Sequence, residues 1–170
     1  IMAVPVKGIS TVVKSNMGGN SKTIPHTQIV GSNRLLTVQI SSTNQKNHSS
    51  VTYGGQPLTF HYNVSRGNLS SRMSFWYLVD PPEGNSNVVI TFSGSLFNPI
   101  SVCIKSFKDS GGVGAKVAVN GNPAITSSPK TQSITVEDDS LIQITSCGNT
   151  NYNTTSGAQI PTGTNQPCIS

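Results

Sequence analysis

Charge is scarce in this chain. Asp, Glu, Lys and Arg make up 10% of its 170 residues, with 11 basic groups against 6 acidic ones. So few carboxylates leave a thin inventory for general acid and base work, which needs titratable groups that converge in space. The net charge of +5 arises without a dense basic run, whereas nucleic-acid binding concentrates Lys and Arg in a patch that meets several phosphates. No specific nucleic-acid partner is expected. Long apolar runs are missing too, since nothing approaches the ~18 residues that span a bilayer as a helix. No membrane insertion is expected either. The chain opens on Ile1 and Met2 without the positive, apolar and cleavage-site segments of a secretory signal, which fits a processed or truncated product.

Neutral polar residues fill the gap, with Ser, Thr and Asn contributing 58 positions. Val, Ile and Thr recur between Gly, Asn and 10 prolines, a composition that favours strands and turns over helical bundles. Charge is also uneven. Residues 1–80 hold a net +6, and the last 23 residues from Gly148 carry none.

Apolar and polar residues alternate with a period of two in several short segments. Ile9 to Lys14 and the stretch from Ile24 through HTQIV come first, then RLLTVQIS, in which Leu36, Val38 and Ile40 point toward a core. VTYGG and PLTFHYNV flank the paired Gly54 and Gly55 as a strand, turn and strand. Met73 to Val79, Val88 to Phe92 and Ile100 to Phe107 follow, and Pro81 and Pro82 stop the first of these. In the last, Val102, Ile104 and Ser106 oppose Ser101, Cys103 and Lys105. AKVAV, SITV and LIQIT extend the series past Gly114. About nine or ten short strands with turn signals between them predict an all-β, antiparallel β-sandwich, jelly-roll-like. No helix of three turns is visible, which excludes a doubly wound α/β fold. Residues 1–23 read as an N-terminal extension and first strand, 24–147 as the sandwich and 148–170 as a neutral polar tail.

Chemistry-bearing motifs are sparse. Glu137, Asp138 and Asp139 are consecutive in a hairpin loop and lack the spacing of a calcium loop. His26, His48 and His61 form no HExxH or other close ligand pair and read as surface or strand-face residues. No GxSxG elbow occurs, and the glycine pairs read as turns rather than phosphate loops. No catalytic residue, metal site or cofactor is assigned. Among the cysteines, Cys103 reads as a buried apolar thiol, while Cys147 and Cys168 are the candidate disulfide, worth roughly 3 kcal/mol if unstrained. Phe75, Trp76 and Tyr77 pose a choice between core packing and ligand stacking, because an exposed Trp76 or Tyr77 can lie on a sugar ring. Four sequons, at Asn47, Asn63, Asn68 and Asn153, mark polar surface more securely than glycans.

The series HTQIVGSNRLLTVQIS, VTYGGQPLT and RMSFWYLVDPPEGNSNVVITFSGS resembles a recurrent β-sandwich domain of phage structural proteins and of bacterial or environmental surface proteins. The resemblance covers residues 24–95 and continues weakly to Cys147. It implies a non-enzymatic module on a virion, tail fibre or cell surface, with copies of itself or other surface proteins as partners. It carries no catalytic residue to transfer. Arg34 and Arg72 fall where they can pair with carboxylates or carbonyls near a sandwich edge. The segment after LIQIT departs from the pattern, and an edge left short of a strand can be completed by a neighbouring subunit. A carbohydrate- or receptor-binding module is the alternative, with glycans as the partner.

Overall fold

The strands of this protein pair outward from one turn. In a computed structural model that describes residues 6–42, 46–66, 71–96 and 99–112, Tyr53 faces Gln56 across Gly54 and Gly55. Farther out, Val38 faces Trp76, Ile24 faces Val88 and Val13 faces Val102. Among the described residues these pairs nest about that turn. Gly54 and Gly55 make its tip, with φ of 56° and 81°, the left-handed values that a type I′ turn needs at both central positions.

Nine strands form among the described residues. They are β1 (Val6–Asn16), β2 (Gly19–Gln28), β3 (Leu35–Ser42), β4 (His48–Tyr53), β5 (Gln56–Pro57), β6 (Thr59–Arg66), β7 (Ser71–Val79), β8 (Gly84–Leu96) and β9 (Pro99–Lys108). Five of them form one antiparallel sheet in the order β1-β9-β3-β7-β6, and four form another in the order β2-β8-β4-β5. The expected all-β sandwich is the fold observed. Because β1 and β2 lie in the two sheets, the boundary expected after residue 23 falls inside β2. AKVAV, SITV, LIQIT and the tail 148–170 lie outside the described residues.

Period-two alternation turns one row of each strand into the core. Leu36, Val38 and Ile40 from β3, Trp76 from β7 and Ile100, Val102 and Ile104 from β9 meet Ile24, Val51, Tyr53, Val88, Ile90 and Phe92 from the other sheet. Each large aliphatic or aromatic side chain buried this way contributes roughly 1.5–3 kcal/mol.

The five-stranded sheet is also buried on its other face. Leu35, Thr37, Gln39 and Ser41 of β3 and Ser101, Cys103, Lys105 and Phe107 of β9 point away from the core, yet none is more than 7% exposed. A sheet with one wet face would expose this row. No other described strand packs over it.

One irregularity shapes the sandwich edge. The register between β1 and β9 shifts between Lys7 and Ser10, and the Ser106 hydroxyl fills the gap. It accepts the Ile9 N–H at 3.0 Å and donates to the Ile9 carbonyl at 3.1 Å. Gly8 is needed there, since a Cβ would stand 2.8 Å from both Ile29 Cβ and Ser106 Oγ. Such a bulge bends the strand that carries it.

Candidate functional site

The bulge lies beside a groove between the sheets. Ile9 and Thr11 of β1 form one wall, Pro25, His26 and Thr27 of β2 another, and Asn85, Ser86 and Asn87 of β8 a third. Its volume is about 340 Å³, within the ordinary range of ~300–1,000 Å³ for small-molecule sites. None of these eight side chains is ionisable except the His26 imidazole.

His26 is held from two sides. Its Nδ1 shares a hydrogen bond of 2.9 Å with Thr11 Oγ1, and its carbonyl accepts from the Tyr53 hydroxyl at 3.3 Å. The same hydroxyl donates to the Gly84 carbonyl at 2.7 Å, which ties β2 to the start of β8. The ring is only 4% exposed, and burial lowers its pKa to about 4. It is therefore neutral near pH 7, with one nitrogen a donor and the other an acceptor. Nε2 has no protein partner, a condition that costs about 1–3 kcal/mol for a buried polar atom. At the rim, Thr27 Oγ1 donates to Asn85 Oδ1.

A second histidine is embedded in the core. His48 Nε2 lies 3.0 Å from Ser42 Oγ, and its Nδ1 lies 2.5 Å from Ser74 Oγ. Ser74 Oγ also accepts the Trp76 indole N–H at 2.8 Å. A serine beside a histidine has the outline of a nucleophile and base, but all three residues are buried. Burial, reinforced by the charge of Arg72, lowers the His48 pKa to about 3. Of the three histidines read as surface or strand-face residues, His26 on β2 and His48 on β4 are buried and serve as neutral hydrogen-bonding groups.

Trp76 belongs to the core cluster at 6% exposure, its edge against Phe60 at 5.1 Å. A ring so enclosed offers no face to a sugar, so the stacking role considered for it gives way to packing. Tyr77 points the other way, half-buried, with its ring edge-on to His61 at 5.7 Å. His61 also meets Tyr62 and Phe75, and those two rings stack at 5.7 Å. Tyr77 thus belongs to an aromatic cluster on the outer face of the five-stranded sheet.

Cys103 occupies the same outer face, opposite Gln39, and is disulfide-bonded rather than a free thiol. The other two cysteines, Cys147 and Cys168, lie outside the described residues. Arg34 does find the carboxylate and carbonyls expected of it: its guanidinium donates to Glu83 Oε1 at 3.0 Å, to the Gly31 carbonyl at 2.6 Å and to the Pro81 carbonyl at 2.9 Å. Among the described residues, His, Cys, Asp and Glu form no group of three that could hold a metal ion. Sequence reasoning missed the groove, because its third wall, from β8, lies some 60 to 80 positions from the other two. Comparison with protein-family models, with curated proteins and with solved structures found no match to this chain.

Proposed function

We propose that this protein is a non-enzymatic structural subunit of a virion or extracellular surface assembly, and that it acts through contacts between subunits. The observation that carries the reading is the edge strand β1. It is 11 residues long and pairs with β9 along one side, and among the described residues its other side has no ladder partner. Val6, Ile9 and Val12 on it are 44%, 45% and 55% exposed. A long edge with exposed apolar side chains is a template for pairing with another chain. Lys7 and Lys14 flank the row and limit indiscriminate association.

The strand order supports the same reading. The nested pairs β1 with β9, β2 with β8, β3 with β7 and β4 with β5 are those of a rolled hairpin, and we read the fold as a jelly roll with β6 added beyond β7. Viral capsid proteins and lectins both use that architecture. The disulfide at Cys103 fits an oxidising space outside the cytosol.

The test is association measured by sedimentation velocity over a range of concentrations, with electron microscopy of the species formed. Discrete oligomers or ordered particles, lost on Ile9→Lys with Val12→Lys, are the expected outcome. A chain that remains a monomer at every concentration overturns the reading. The second reading, a glycan-binding module, is favoured by the groove beside His26.

A further inference from the structure

We infer that the groove between β1, β2 and β8 is a binding site for a neutral, polyhydroxylated ligand, a saccharide of one or two rings. The lining decides the chemistry. No carboxylate, ammonium or guanidinium contributes to it, so nothing there neutralises a charged ligand, and a phosphate or carboxylate would enter without a counter-charge. What the walls do offer is a set of neutral donors and acceptors: the hydroxyls of Thr11, Thr27 and Ser86 and the amides of Asn85 and Asn87. Ile9 and Pro25 supply the apolar contact that the C–H side of a sugar ring needs.

His26 backs the groove wall rather than meeting the ligand: its ring is almost wholly enclosed, Nδ1 is taken by Thr11, and Nε2 is buried without a protein partner.

The site is also built to hold its shape. Ser106 pins the Ile9 backbone at the bulge, Thr11 fixes the imidazole, and Tyr53 ties the carbonyls of His26 and Gly84. Rigid positioning of this kind lowers the ordering cost that a ligand must meet on binding. The inference does not depend on self-association. A monomer that binds saccharide would sink the assembly reading alone, and an assembly indifferent to saccharides would sink this one alone.

The test uses the full chain and a panel of neutral saccharides, namely glucose, galactose, mannose, N-acetylglucosamine and lactose, each at millimolar concentration. Binding is read by ligand-observed NMR and by the His26 imidazole resonances. At least one saccharide is expected to bind and to move those resonances. Asn85→Ala with Asn87→Ala, both at exposed positions, should then weaken binding about tenfold or more while leaving the thermal midpoint within a few degrees. His26→Gln is the second variant, and its folding is checked by the same midpoint. Absence of binding across the panel overturns the inference. So does binding that survives the asparagine changes and disappears on Tyr77→Ala, which would place the ligand on the outer aromatic cluster.

Discussion

The Ser74 hydroxyl lies 2.5 Å from Nδ1 of His48, and this contact joins two sheets. Ser74 sits on β7 in the five-stranded sheet and His48 on β4 in the four-stranded one. The same oxygen accepts the Trp76 indole N–H, so one hydroxyl satisfies two buried polar groups. Removing it strands both. Ser74→Ala should therefore destabilise the fold by about 2–6 kcal/mol, since each of the two buried groups left unpaired costs about 1–3 kcal/mol. Denaturant unfolding would show the loss as a lower midpoint at unchanged slope. A change below half a kcal/mol would mean that water or a neighbouring group replaces the hydroxyl.

The two buried histidines make stability depend on pH in one direction. Burial holds His48 near a pKa of about 3 and His26 near about 4, against 6.5 when exposed. Below pH 6.5 the unfolded chain takes up protons that the folded chain refuses. Protonation therefore favours unfolding, and stability is full above pH 6.5 and falls as the solution is acidified. Between pH 6.5 and 4 both imidazoles act, which gives a slope of up to about 2.7 kcal/mol per pH unit. The slope should lessen below pH 4 and lose the histidine contribution below about 3. Thermal midpoints followed from pH 8 to pH 3 would check this, with His48→Gln reducing the slope by about half. A flat profile from pH 7 to pH 4 would show that both rings are already protonated or solvated.

The strands were legible in the sequence because alternation reports one buried face directly. Leu36, Val38 and Ile40 were read as core, and all three are fully enclosed. The outer row was not legible. Thr37, Gln39, Ser101 and Lys105 are residues that normally face water, and only their surroundings in three dimensions reveal that they are buried. The same holds for the groove. The Ser106 hydroxyl that shapes the bulge bonds a residue 97 positions away, and no local pattern announces that pairing. Trp76 is the converse case, since period two separated it from Phe75 and Tyr77 but left open which side was core.

The turn between β4 and β5 separates two glycines that look alike. Gly54 and Gly55 both have positive φ, which costs an L-residue roughly 1–2 kcal/mol. A Cβ on Gly54 would also stand 3.1 Å from Ser86 Oγ and 3.3 Å from Pro82 Cγ, whereas one on Gly55 would meet nothing within 4 Å. Gly55→Ala should therefore lose about 1–2 kcal/mol, and Gly54→Ala should lose more. Unfolding free energies of the two variants check the order. Equal losses would show that Pro82 and Ser86 move aside without cost.

The disulfide at Cys103 makes a prediction that separates covalent from packing effects. Cys103 is buried with no exposure in the middle of β9, so its bond is shielded from reductant while the sheet is intact. Thiol reagents should act slowly in native buffer and quickly once denaturant opens the fold. Closing a loop from Cys103 to either remaining cysteine is worth about 4 kcal/mol by chain entropy, and Cys103→Ser should lose a comparable amount. Peptide mapping of the unreduced protein identifies the partner. A peptide that joins Cys103 to Cys147 or to Cys168 is the expected result, and a free Cys103 with Cys147 joined to Cys168 would refute it. If the mapped protein keeps the bond but Cys103→Ser is as stable as the parent, the loop it closes is already ordered in the unfolded chain.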